Sequence, residues 1–104
     1  MAAALKDAGH RVVEAGNALG ALDLFGDGRA CDVAVVDYAM AGVTGADVIE
    51  EMRRRRPNFP TLLVTGFADA GELDRLSAQP ILYKPFSPDQ LVRRVAELLE
   101  RATT

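Results

Sequence analysis

Three short apolar runs in the chain each end on a polar residue: VAVVD on Asp37, TLLVT on Thr65 and ILYK on Lys84. Runs of this length between helical stretches read as buried parallel strands, and in open α/β sheets ligands bind outside the carboxyl ends of such strands. A carboxylate, a hydroxyl and an ammonium are therefore expected to converge at one end of a sheet. Such a set can hold a small anion or a charged partner by ion pairing and hydrogen bonding.

The elements that must position these groups alternate between helix and strand patterns, with short Gly, Pro, Asn or Asp punctuation, which is the α/β signature. Residues 1–8 read as the end of a helix stopped by Gly9, and residues 11–14, around Val12 and Val13, as a short β-branched strand. Asn17 is placed to cap a helix carrying Leu19, Leu22, Leu24 and Phe25, ended by Gly26 and Gly28. After the strand at residues 33–36, Thr44 with Asp47 has capping-box spacing and opens a helix with Val48, Ile49 and Met52 on one face. The strand at residues 61–64 follows, and Gly66, Gly71 and Pro80 leave room for only a short helix over residues 69–77. Ser87, Pro88 and Gln90 supply cap, first-turn proline and box partner for a last helix with Leu91, Val95, Leu98 and Leu99 at core spacing.

Composition bounds the function classes. With 104 residues, 49% of them hydrophobic, one compact domain over residues 1–104 is expected. The net charge of -3 gives no basic footprint, so direct binding to nucleic acid is not expected. Arg53 to Arg56 form a charge run, but four adjacent helical residues point in different directions, so the run reads as a solvated face. Cys31 is the single cysteine and has no disulfide partner, and no apolar stretch reaches the roughly 18 to 20 residues of a membrane span. The amino terminus lacks the basic region and apolar core of a signal peptide, so a cytoplasmic location is expected.

The stretches VAVVDYAMAGVTG, LLVTGFAD and LYKPFSPDQL, in this order and at this spacing, resemble a response-regulator receiver domain of two-component signalling. The TGFAD stretch and the short segment before LYKPF are most similar to receivers attached to hybrid histidine kinases. The resemblance implies a flavodoxin-like parallel sheet flanked by helices, and a phosphorelay module rather than an enzyme acting on a diffusing substrate. Asp37 would be the phosphoacceptor, taking a phosphoryl group from a histidine kinase or phosphotransfer domain as an aspartyl phosphate. Thr65 would donate its hydroxyl to a phosphoryl oxygen and report the modification, and Lys84 would set a compact positive charge against the acyl phosphate. The bond between Lys84 and Pro85 would be cis.

The resemblance also implies Mg2+, held by the acceptor aspartate, by a backbone carbonyl two residues later and by acidic residues at the end of the first strand. Asp37 and the Ala39 carbonyl match the first two. The acidic residues have no counterpart, because the chain as given opens inside what resembles the first helix; Asp7 lies on that helix, well before the strand near Val12. Mg2+ binding is therefore expected to be weakened or lost. Sheets of this type run 2-1-3-4-5, so the first, central strand is the one missing. Three arrangements stay open: the strand near Val12 pairs directly with the strand near Val35, a second chain fills the gap as in a homodimer, or the true start lies upstream.

Smaller departures accompany this one. Ala41 stands where the family usually has proline, and Ile81 where many members carry a switching aromatic; Tyr83 shares the face of Ile81 and reads as sheet packing. His10 has no second ligand at metal spacing, and Cys31 no histidine partner for nucleophilic work. The alternative to phosphorylation is a pseudo-receiver serving as an interaction or dimerisation module. A phosphatase of D-x-D type is disfavoured because Asp37 is followed by Tyr38 and Ala39, and no phosphate-binding G-x-x-x-x-G-K-[ST] loop occurs.

Overall fold

The computed structural model describes residues 2–15, 17–26, 32–39, 43–66 and 80–103. Their elements run in the order α1 (Ala2–Asp7), α2 (Ala18–Gly26), β1 (Ala34–Asp37), α3 (Gly45–Arg55), β2 (Thr61–Thr65), β3 (Ile81–Tyr83) and α4 (Pro88–Thr103). The three strands form one parallel sheet in the order β1-β2-β3. Val35 lies opposite Leu62, Asp37 opposite Val64 and Thr65 opposite Tyr83.

Period-two alternation divides the sheet between two apolar layers. Val36, Leu63 and Ile81 pack with Phe25, Val48, Ile49 and Met52, on the side of α2 and α3. Val35, Leu62 and Leu82 pack with Leu5, Leu91, Val95 and Leu98, on the side of α1 and α4. β2 is buried along its whole length because it has a strand on either side and helices on both faces.

The helix ends follow the local chemistry of their residues. Asn17 Oδ1 accepts the Gly20 N–H at 2.8 Å. Thr44 Oγ1 accepts the Asp47 N–H at 3.3 Å while Asp47 Oδ2 accepts the Thr44 N–H at 3.3 Å, a complete capping box. Ser87 and Gln90 make the same reciprocal pair at the start of α4, at 3.2 and 2.8 Å. Gly9 ends α1 at φ 96°, and the Gly9 and His10 N–H groups return to the Lys6 and Leu5 carbonyls, the pattern of a Schellman turn.

Two expectations are corrected. Residues 11–15 form no strand, and β1 makes its ladder with β2 alone among the described residues. A parallel strand exists only through a hydrogen-bonded neighbour, and in a 2-1-3 order the neighbour of this segment would be the central strand, not β1. Direct pairing of the Val12 segment with β1 is thereby excluded in this structure, although Val12 still packs against the Leu5, Leu62 and Leu91 layer. The arginine run is also not simply a solvated face. Arg56 lies over the Phe25 ring at 4.6 Å and the Phe59 ring at 5.7 Å, and its Nη2 donates to the Phe25 carbonyl at 3.4 Å. Arg54 and Arg55 are exposed as expected and paired with Glu51, Arg56 is exposed as well despite its ring contacts, and Arg53 is half-buried. The expected helix at 69–77, Cys31 and Ala41 lie outside the described residues.

Candidate functional site

Asp37 ends β1, and the strand end is fixed by backbone bonds: the Tyr38 N–H donates to the Val64 carbonyl at 2.8 Å. Lys84 follows β3 directly, and its N–H donates to the Thr65 carbonyl at 2.8 Å, tying the ends of β2 and β3 together. The Lys84–Pro85 peptide bond is cis.

The side chains of Asp37 and Lys84 meet. Lys84 Nζ donates to Asp37 Oδ2 at 3.0 Å, across 47 residues of sequence, while Asp37 Oδ1 accepts the Ala39 N–H at 3.2 Å. Both side chains keep access to solvent, with relative exposures of 45% for Lys84 and 34% for Asp37. An ion pair this exposed stabilises a fold by only about 0.2–1 kcal/mol. Its value is therefore positional: it brings a nucleophilic oxygen and a compact cation together where a ligand can reach both.

Thr65 is placed differently. It ends β2 with 4% exposure and continues the face of Leu63, toward α2 and α3, whereas Asp37 continues the face of Val35. The structure joins Thr65 to Lys84 through the backbone, next to the Asp37–Lys84 pair. Tyr83, expected to pack on the sheet, is 47% exposed, and Ile81 is the residue of that strand that packs against the α2 and α3 layer. Among the described residues β3 pairs with β2 alone, so Tyr83 near its end has a strand on one side only.

The donor set at this site falls short of the cation expected there. Asp37 and the Ala39 carbonyl are the two matching groups, but Asp37 has one oxygen on a peptide N–H and the other on Lys84. Asp47, the next carboxylate along the chain, is held in the capping box of α3. Among the described residues no three His, Cys, Asp or Glu side chains group together as a metal site. The groups present among the described residues do not make up a cation site.

Sequence reasoning missed how the turn after Asp37 is closed. The Gly45 N–H donates to the Tyr38 carbonyl at 2.8 Å, and Ala39 and Thr44 form an antiparallel bridge, so α3 starts directly against the strand end. The signal available was the TG pair of Thr44 and Gly45, a cap followed by a glycine in a position where any helix former would serve.

A three-stranded parallel sheet between two helical layers, with a carboxylate and an ammonium paired beyond its carboxyl edge, defines a flavodoxin-like domain with a receiver-type site. The chain belongs to the response regulator receiver domain family, which it matches over residues 1–96. It is 32% identical over 102 residues to the sensor kinase CckA of Brucella abortus, covering 94% of this chain but 11% of that protein. Its fold is similar to a CheY-like receiver domain protein of Methanospirillum hungatei, with a TM-score of 0.85 at 23% identity, covering 96% of this chain and 82% of that one. A response regulator receiver protein of Sinorhizobium medicae is similar at 31% identity with a TM-score of 0.84, covering 94% of this chain and 81% of that one. Receiver domains act in two-component signalling, interact with histidine kinases or phosphotransfer proteins, and generally bind Mg2+ at an acidic pocket. Among the described residues no helix is long and apolar enough to cross a membrane.

Proposed function

We propose that this receiver domain is the phosphoacceptor of a phosphorelay, with Asp37 as the accepting residue. The observation that carries the reading is Lys84 Nζ at 3.0 Å from Asp37 Oδ2, at the carboxyl edge of the sheet. A carboxylate oxygen of Asp37 attacks the phosphorus of a phosphohistidine. The O–P bond forms as the N–P bond breaks, the electron pair of that bond returns to the imidazole, and the imidazole takes up a proton from solvent. Lys84 stays beside the new acyl phosphate and offsets its added negative charge, and Thr65 donates its hydroxyl to a phosphoryl oxygen as it moves. The chain is an acceptor and not an enzyme: it turns over no diffusing substrate. Its donor is a histidine kinase or phosphotransfer domain of the cytoplasm, and its setting is a hybrid kinase, as similarity to the sensor kinase CckA supports.

Incubation with acetyl phosphate, with and without Mg2+, followed by mapping of the adduct tests this reading. Modification at Asp37, lost in Asp37→Asn, is expected. No adduct on the chain, even when a β-strand ending in two acidic residues is fused ahead of residue 1, overturns it. Mg2+ is expected to help the chain alone only weakly, because both oxygens of the Asp37 carboxylate are already engaged, one by the Ala39 N–H and one by Lys84, and strongly once that strand is supplied.

A second reading, a pseudo-receiver that works by association alone, is favoured by the same ion pair, since Lys84 already satisfies Asp37 without a ligand. Association is proposed in either case as a homodimer, because β1 has a ladder on one side only among the described residues and an open edge recruits another chain. Sedimentation of wild type and Asp37→Asn separates the readings: identical dimers with no adduct under any donor favour the second.

A further inference from the structure

Gly45 holds the first position of α3, and what faces it is the phosphoacceptor's own backbone. A Cβ built there would stand 2.3 Å from the Asp37 carbonyl oxygen, 2.8 Å from the Asp37 carbonyl carbon and 2.9 Å from the Tyr38 Cα. Ordinary contact begins at 3.4 Å, so a side chain at Gly45 needs more than an ångström of new space. None of the three atoms can swing aside, because Tyr38 is bonded to Val64 on one side and to Gly45 on the other, at 2.8 Å each. The need for glycine is one of close approach, not of backbone conformation, for among the described residues only Gly9 has a positive φ.

We infer that Gly45 is a positioning residue for Asp37: it lets the start of α3 seat on the strand end, and that seating fixes the carboxylate against Lys84. The inference rests on Asp37 being the acceptor. The described residues at the two ends of the turn are tied to one another. The carboxylate takes the Ala39 N–H, Ala39 is bridged to Thr44, Thr44 caps α3, and Gly45 closes on Tyr38. A displacement of the strand end by about an ångström stretches the 3.0 Å Asp37–Lys84 contact beyond the roughly 3.2 Å limit of a good hydrogen bond.

Gly45→Ala is the smallest change that forces this displacement. Gly26→Ala is the matched control at the opposite end of the molecule, where the nearest atom is not backbone but the far end of a long side chain, Arg55 Nη1 at 3.3 Å. Phosphorylation of Asp37 by acetyl phosphate is followed by mass, over a range of donor concentrations, with amide NMR spectra reporting the folded fraction. Misplacing a reacting group by an ångström costs about 100-fold in rate, so Gly45→Ala is expected to lose about that much in maximal rate per folded molecule. The half-saturating donor concentration and the rate of Gly26→Ala are expected to stay at the wild-type values. Rescue is the second measurement: a smaller donor or a higher donor concentration must not restore the maximal rate. If neither wild type nor the chain with that acidic-ended strand fused ahead of residue 1 takes an adduct, the acceptor reading fails and this inference with it. If wild type is modified and folded Gly45→Ala keeps its rate, the inference alone is overturned. If Gly45→Ala does not fold, Gly45 serves the fold as a whole and the positioning role is likewise overturned.

Discussion

Helix α3 spans the molecule from the carboxyl ends of the strands to their amino ends, and the two poles it connects use positive charge in opposite ways. At its start, Lys84 reaches over an open surface to one carboxylate oxygen and keeps nearly half of its side chain in solvent. At its end, Arg56 lies on the Phe25 ring, with Phe59 set edge-on to Phe25 at a centroid distance of 4.9 Å. A lysine ammonium is a compact, strongly hydrated point charge that can be handed from one anion to another; a guanidinium is flat, weakly hydrated and stacks on rings. The first pole is built so that its cation can change partners. The second is built so that its cation stays.

This difference sets the expected effects of breaking each pole. Asp37→Asn is expected to abolish phosphorylation completely, since an amide is no nucleophile toward phosphorus, while thermal or denaturant unfolding stays within about 0.5 kcal/mol of wild type. Lys84→Met is the next largest. Removing one stabiliser of developing negative charge costs about 100-fold or more in rate, whereas losing an exposed ion pair costs at most about 1 kcal/mol of stability. Adduct formation measured alongside urea unfolding checks both; a Lys84→Met chain that unfolds early but is modified at the normal rate would reverse the assignment of the two poles.

How much of this was legible in the sequence follows the same division. The caps at Asn17, Thr44 and Ser87 were legible because each uses a side chain within three residues of the amide it satisfies. The strand ends at Asp37 and Lys84 were legible because a polar residue after an apolar run marks where the sheet stops. The segment around Val12 misled, since β-branched residues encode a willingness to be a strand, and a ladder needs a neighbour that propensity does not specify. Arg56 misled for a related reason: within the run RRRRP nothing distinguishes the arginine that meets two aromatic rings, one of them 31 residues earlier, from Arg54 and Arg55, which pair with Glu51. The closeness of Gly45 to Asp37 was hidden because it depends on how near α3 docks, a distance that no local pattern records.

At the packed pole, Arg56→Lys keeps the charge and removes the flat surface. It is expected to lower stability by about 1 kcal/mol, the scale of a ring-stacked guanidinium near the surface, and to leave the phosphorylation rate of folded protein unchanged. Calorimetric unfolding and the acetyl phosphate assay report the two halves of that statement. A loss of phosphorylation with no loss of stability would mean that the far pole communicates with the site, and the poles would no longer be separate in function.

The smallest expected effect lies on the outer side of the same pole. Glu51 accepts from Arg54 and, at 3.2 Å, from Arg55, both on the next turn of α3 and both exposed. Such pairs stabilise helices by about 0.3–0.5 kcal/mol, so Glu51→Gln is expected to lower stability by no more than about 0.5 kcal/mol. At 1 M salt, where the screening length falls to about 3 Å, the difference from wild type is expected to vanish. The contribution of Arg56 is expected to survive the same salt, because it depends on contact with ring faces more than on charge at a distance. Unfolding of Glu51→Gln and Arg56→Lys at low and high salt thus separates two kinds of arginine within one run. Equal salt sensitivity would show that Arg56 acts as another surface charge, and the distinction between a held cation and an exchangeable one would then rest on Lys84 alone.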